Sequence, residues 1–201
     1  MLITGFLVAG VSMGYEEQQQ MPTENEEIKK WRERAAYTYW ICDLCTRLFT
    51  GLLGWLYTHK MSPSWMILYS SITCFLGSGI LFVVSIFSPE QGFLYPTPSM
   101  FFGTSNGALW MVGSQMLIIR FGQKYFGRIW AFMFLANGLG FIMFSFLAVL
   151  LPFKFLWAIV YGTASTGSVV LASLTVKHYR DLEALDPKLE TPSDPRNTTT
   201  N

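Results

Sequence analysis

Charge is scarce in this sequence, and where it is missing says more than how much there is. Asp, Glu, Lys and Arg make up 13% of the 201 residues, about half the roughly 25% of an ordinary soluble domain. None of the four occurs between Lys60 and Glu90, from Gln91 to Ile119, from Ile129 to Phe153, or from Phe155 to Val176. A helix of a soluble protein needs a polar face toward water, so four such stretches exclude a water-soluble domain. Cysteine and histidine are also few, three and two. Cys42-x-x-Cys45 has no second pair and no nearby histidine at zinc-site spacing, so it reads as two small residues packed between helices. His59 and His178 fall at span ends, where a polar tip reaches the interface. There is no Walker A loop, no G-x-S-x-G elbow and no H-E-x-x-H pair. Nothing in the sequence assembles a nucleophile, a base and an oxyanion donor. An enzyme is therefore not expected, nor are a cofactor, a metal or a nucleic-acid partner.

What is present is apolar. Hydrophobic residues make up 51% of the chain and the mean hydropathy is +0.34. Crossing roughly 30 Å of hydrocarbon takes about 20 apolar residues, and each charge-free stretch is long enough. A fifth span, from about Ala36 to Thr58, differs in holding Asp43 and Arg47. The apolar segment Met1–Tyr15 covers only about 21 Å at 1.5 Å per residue. It lacks the basic flank and small-residue cleavage site of a signal peptide, so it reads as a short or truncated span. The expected fold is an all-α, polytopic membrane protein with five full transmembrane helices and a short N-terminal apolar helix. Residues 1–15 form that short helix, 16–35 a polar external loop, 36–177 the five-helix bundle, and 178–201 a cytosolic, mostly disordered tail. The tail is polar and Pro-rich, with too little apolar surface to fold alone.

Basic residues set the orientation. Counting loops alternately, one side receives Lys60, Arg120, Lys124, Arg128, Lys177 and Arg180. The other receives Lys29, Lys30, Arg32, Arg34 and Lys154. The positive-inside rule favours the first side as cytosolic. The Asn197-Thr198-Thr199 sequon then lies where glycosylation does not reach it.

Polar residues inside the spans are the candidates for function. Asp43 and Arg47 are four apart on one helix face and form an intramembrane charge pair. Such residues face a protein interior or a water-filled cavity, so the pair serves either packing or transport. Ser105, Asn106, Ser114 and Gln115 precede Arg120, and Asn137 follows beside Gly138 and Gly140. Small residues recur at Gly77-Ser78-Gly79, Gly103-x-x-x-Gly107 and Gly138-x-Gly140, suiting close helix approach. Prolines 63, 89, 96, 98 and 152 lie near span ends and none lies mid-span.

Two stretches carry a family resemblance. Phe102-Gly103-Thr104-Ser105-Asn106-Gly107, the apolar run to Ile119, and Phe121-Gly122-Gln123-Lys124-Tyr125-Phe126-Gly127-Arg128 together resemble a segment of the major facilitator superfamily. The likeness is nearest to its large-neutral-amino-acid facilitator and nodulin-like branch. There, a glycine- and asparagine-bearing tenth helix leads into a loop of the form F-P-x-x-H-F-G-K, with Phe121-Gly122 here in place of F-P. Gly51–Lys60 resembles the end of the eighth helix, without its usual acidic residue near Tyr57 or Thr58. The resemblance implies the C-terminal half of a twelve-helix carrier, cut within its seventh helix. It also implies alternating access for a small polar solute such as an amino acid. Asn106, Gln115 and Asn137 would bind the solute, and Asp43–Arg47 would reorganise between states. Lys124, Tyr125, Phe126, Gly127 and Arg128 would form the cytosolic loop motif, its cations meeting helix C-termini or lipid headgroups. The partners implied are the lipid bilayer, the solute, and a second transporter half or a homodimer. A non-transporting multi-pass scaffold, an assembly subunit or an inactive fragment is the competing reading.

A tag fused after Asn201 should be digested by protease only from the cytosolic side of sealed vesicles; digestion from the opposite side would reverse the assigned orientation.

Overall fold

Helices begin where proline permits them. Pro63 opens one helix and Pro96 another, and at a first helical position proline's missing N–H costs no hydrogen bond. The computed structural model describes residues 2–19, 26–56, 63–87, 92–150 and 154–185. Among these there is no strand. In chain order come α1 (Leu2–Gln19), α2 (Glu26–Leu56), α3 (Pro63–Phe87), a 3-10 turn (Gly92–Leu94), α4 (Pro96–Leu150) and α5 (Lys154–Leu185). The polar 16–35 segment is thus helical at both ends. The tail beyond 185 lies outside the described residues, as do His59, Lys60 and the loop around them.

Helix α4 is two helices. Gly122 has φ 70° and ψ 167°, a combination open essentially to glycine alone. It separates arms α4a (96–121) and α4b (123–150). Trp110 of α4a packs on Phe134 of α4b with ring centroids 4.8 Å apart, and Gly113 faces Met133. The pairs straddle Gly122 symmetrically, so the arms form an antiparallel hairpin.

The other contacts fix every helix direction. Gly5 lies against Asn137 and Gly10 against Phe144, so α1 runs parallel to α4b. Gly14 meets Tyr161 while Leu7 meets Gly167, so α5 runs against α1. Gly103 and Gly107 face the Tyr39 and Asp43 carbonyls in the same order, making α2 parallel to α4a. Ser70 pairs with Ser105 and Gly77 with Phe101, making α3 antiparallel to α4a. Successive helices therefore alternate direction along the whole chain. Two ends result, named here for Gly122 and Tyr95.

The helices at the outside of the bundle wear an apolar stripe outward. Ile41, Leu44, Leu48 and Leu52 of α2 are exposed, as are Phe132, Leu135, Leu139, Ile142 and Phe146 of α4b. The interior holds Ser70, Ser105, Asn106, Asn137 and Asp43. Apolar stripes outward and polar groups inside the core depart from the pattern of a soluble protein. Hydroxyls that do face outward are tied to their own helix: Thr163 donates to the Val160 carbonyl at 2.9 Å and Thr166 to that of Gly162 at 2.7 Å. Among the described residues, three helices are long and apolar enough to cross a bilayer, over Trp65–Val84, Gly122–Leu147 and Ile159–His178. The chain is a membrane protein. Five full apolar spans were expected from the sequence, and α2 and α4a fall short of that description. The reason is composition: α2 carries Asp43 and Arg47, and α4a carries Thr104, Ser105, Asn106 and Ser114 among glycines.

The shortest apolar helix sits deepest. Val8, Ala9, Val11, Ser12 and Tyr15 of α1 are all fully buried. Tyr15 donates to the Tyr95 carbonyl at 2.9 Å and its ring lies 4.6 Å from that of Phe102. Glycine lets neighbours approach. A Cβ at Gly103, Gly107 or Gly140 would overlap the backbone carbonyl of Tyr39, Asp43 or Phe6 respectively. A Cβ at Gly138 would meet nothing within 4 Å.

Gly103→Ala should therefore lower thermal stability in detergent by about 1–3 kcal/mol through overpacking. Gly138→Ala should instead raise it by up to about 1 kcal/mol, since alanine is the better helix former. Equal responses from the two variants would disprove the close α2–α4a approach.

Candidate functional site

An acid buried in apolar surroundings needs partners for both oxygens, and Asp43 has them. It is 3% exposed. Its Oδ2 accepts from Arg47 Nη2 at 2.8 Å, one helical turn along α2. Its Oδ1 accepts from Asn106 Nδ2 at 2.9 Å, across the interface with α4a. Gly107 brings that interface close enough for the short asparagine side chain to reach, because its missing Cβ leaves room for the Asp43 carbonyl. Asn106 stands about 15 Å along α4a from its start, well inside the bundle.

Arg47 is less enclosed. Its side chain is 38% exposed. The guanidinium carbon lies 5.9 Å from the centroid of the Trp110 ring, close enough for a cation–π attraction. Arg47 Nε and Asn106 Oδ1 are buried with no hydrogen-bond partner among the described residues. The centre thus holds a carboxylate engaged at both oxygens, an incompletely used donor group and an unused acceptor. Trp110 belongs to an aromatic column that continues through Trp130 at 5.7 Å to Phe126, which stacks on Trp130 at 5.6 Å.

The sequence-predicted residues divide into three groups. Asn106, Asp43 and Arg47 come together. Asn137 does not join them: it faces Gly5 on α1, and its buried Oδ1 has no partner among the described residues. The Gln115 side chain lies outside the described residues. Lys124, Tyr125, Gly127 and Arg128 open α4b as exposed residues, with Phe126 half-buried. None of the predicted solute residues lines the open cleft of about 430 Å³ between α3 and α5, whose walls include Phe75, Phe82, Ile159 and Thr166.

Two features went unread in the sequence. Ser70 and Ser105 form a reciprocal clasp between α3 and α4a, each hydroxyl donating to the other's carbonyl at 2.8 and 2.7 Å. Trp110 as the ring beside Arg47 is the second. Both join residues far apart in the chain, and a single sequence carries no signal for such pairs. Comparisons with protein-family models, curated proteins and solved structures give no match to this chain.

Removing one member of the centre should cost more than removing the charge pair together. Arg47→Ala leaves Asp43 without its counter-charge and should destabilise by about 3–5 kcal/mol. Asn106→Ala should cost about 1.5–3 kcal/mol, the range for a hydrogen bond to a charged group. Asp43→Asn combined with Arg47→Gln should recover most of the Arg47→Ala loss. A double variant less stable than Arg47→Ala, by thermal unfolding in one detergent, would contradict the coupling.

Proposed function

We propose that this chain is one half of a major-facilitator-type carrier, crossing the membrane several times and moving a small polar solute by alternating access. The observation that carries the reading is the Arg47 guanidinium. The Arg47 side chain is 38% exposed although its carboxylate partner is buried. A charge at membrane depth does not face lipid; it turns to a protein interior or to a water-filled cavity. In this reading the exposed side of Arg47 faces a central path, closed by a second six-helix bundle or a second copy.

The alternation of helix directions supports the topology. It fits α1, α2, α3, α4a, α4b and α5 as consecutive crossings, with α2 and α4a as the polar, path-lining ones. It also gathers Lys124, Arg128, Lys177 and Arg180 at the Gly122 end, which the positive-inside rule makes cytosolic.

Chemistry narrows the solute. Both Asp43 oxygens are already engaged, whereas Arg47 retains an unused donor. Guanidinium groups recognise carboxylates through paired, charge-assisted hydrogen bonds. The solute therefore presents a carboxylate to Arg47, as an amino acid does, and a donor group would find Asn106 Oδ1. Asn137, which faces α1, and Gln115 would act in another state of the cycle or in packing.

The competing reading, a non-transporting subunit of a larger assembly, draws on one observation. The described cleft lies between α3 and α5 and not at Arg47. Under that reading the exposed side of Arg47 meets an acceptor on a partner protein.

Uptake of radiolabelled neutral amino acids into proteoliposomes separates the two. A carrier acting as a homodimer should show saturable uptake, reduced at least tenfold by Arg47→Gln and inhibited by excess unlabelled monocarboxylate. Uptake equal to that of empty liposomes, with a partner protein co-purifying in stoichiometric amount, would establish the assembly reading.

A further inference from the structure

The cations at the Gly122 end are placed in a way that helix stability does not explain. Lys124 and Arg128 lie in the first turns of α4b, where the helix dipole is positive and disfavours cations. Both are exposed. Neither makes a hydrogen bond or ion pair with a described residue, and Lys124 Nζ sits 5.6 Å from the Tyr125 ring centroid. Among the described residues, their own helix and its neighbours offer them no anion.

Their direction is specific. Steps of three or four residues along α4b carry Lys124 and Arg128 into exposed Phe132, Leu135, Leu139, Ile142 and Phe146. Residues so spaced share one helix face. The two cations therefore extend the outward apolar stripe and do not point along the helix axis into bulk water. The same pattern recurs on α5, where exposed Val170 and Leu174 lead to exposed Lys177. Phe144 and Tyr161 meet at 5.8 Å on these two antiparallel helices. Arg128 and Lys177 lie equally many residues from that contact, toward the Gly122 end. The apolar windows Gly122–Leu147 and Ile159–His178 both run out at this end. Cations on a lipid-facing stripe, where hydrocarbon gives way to headgroups, meet phosphate.

We propose that Lys124 and Arg128 bind the phosphate of an anionic phospholipid, with its acyl chain along the Phe132–Phe146 stripe and Lys177 offering a like contact on α5. The shared ligand chemistry is a phosphate anion. The apolar stripe directly beneath the cations selects lipid over free phosphate, which has no use for it. The inference rests on membrane residence alone and is independent of the transport reading.

The test is lipid retention. The full chain, purified in mild detergent, is equilibrated with equal amounts of phosphatidylserine and phosphatidylcholine, washed, and its bound lipid weighed by mass spectrometry. Wild type should retain phosphatidylserine in excess. Arg128→Gln should reduce that excess about fivefold, and adding Lys124→Gln should reduce it by a similar factor again, as expected from about 1 kcal/mol per cation near an anionic surface. Lys29→Gln with Lys30→Gln, at the opposite end, should leave it unchanged. Arg128→Lys keeps the charge and should retain most of the excess should the glutamine variants unfold. Three results would each overturn the proposal: no preference in wild type, equal loss in the opposite-end control, or displacement by inorganic phosphate but not by chloride at equal ionic strength. The last would assign the site to free phosphate.

Discussion

Hydrocarbon gives helices no hydrophobic reason to associate, since lipid tails are as apolar as leucine. The arrangement therefore depends on how closely backbones approach, and three glycines set that distance. Gly103 and Gly107 seat α4a against the carbonyls of Tyr39 and Asp43 on α2, and Gly140 seats α4b against that of Phe6 on α1. Everything polar in the interior follows from this proximity. Asn106 reaches Asp43 only because the helices nearly touch. Ser70 and Ser105 exchange hydrogen bonds across a similarly tight seam. A larger residue at Gly107 would part α2 from α4a and leave a carboxylate without its amide.

The buried centre is asymmetric in a useful way. Asp43 is fully committed, to Arg47 on its own helix and Asn106 on the next. Arg47 is committed on one side only. The acid thus acts as an anchor that holds the cation at a fixed place and orientation, while the cation keeps capacity for something else. An arginine without that anchor would carry a heavy cost at such depth. An aspartate without the arginine would carry a comparable one. Each residue makes the other tolerable, and only one is left with unspent donors.

Much of this was legible in the sequence, and the exceptions have physical causes. Charge-free runs announced helices in a membrane because water demands polar faces and lipid does not. The i, i+4 spacing of Asp43 and Arg47 announced their pair, since helix geometry alone fixes it. The prolines at 63 and 96 marked helix starts. The count of full spans was set too high because α4a was judged by its charge-free run and α2 was counted despite Asp43 and Arg47. Their serines, threonines, asparagine and internal ion pair make them polar helices that other helices must shield. Asn106 was expected to face a solute, whereas its amide is taken up by Asp43. Its partner lies 63 positions away in the chain, and no local pattern announces so distant a contact. Asn137 was grouped with Asn106 by chemistry, yet it opens onto α1.

Gly122 has a consequence beyond reversing the chain. A single residue in an unusual backbone state joins α4a to α4b, with no slack between them. The two arms are also fastened through Trp110, Trp130 and Phe134. They therefore form one fastened unit. One arm holds Asn106 at depth, and the other begins with Lys124 and Arg128 at the membrane surface. Asn106 beside Asp43 and the cations that open α4b are thus carried on one tightly fastened hairpin.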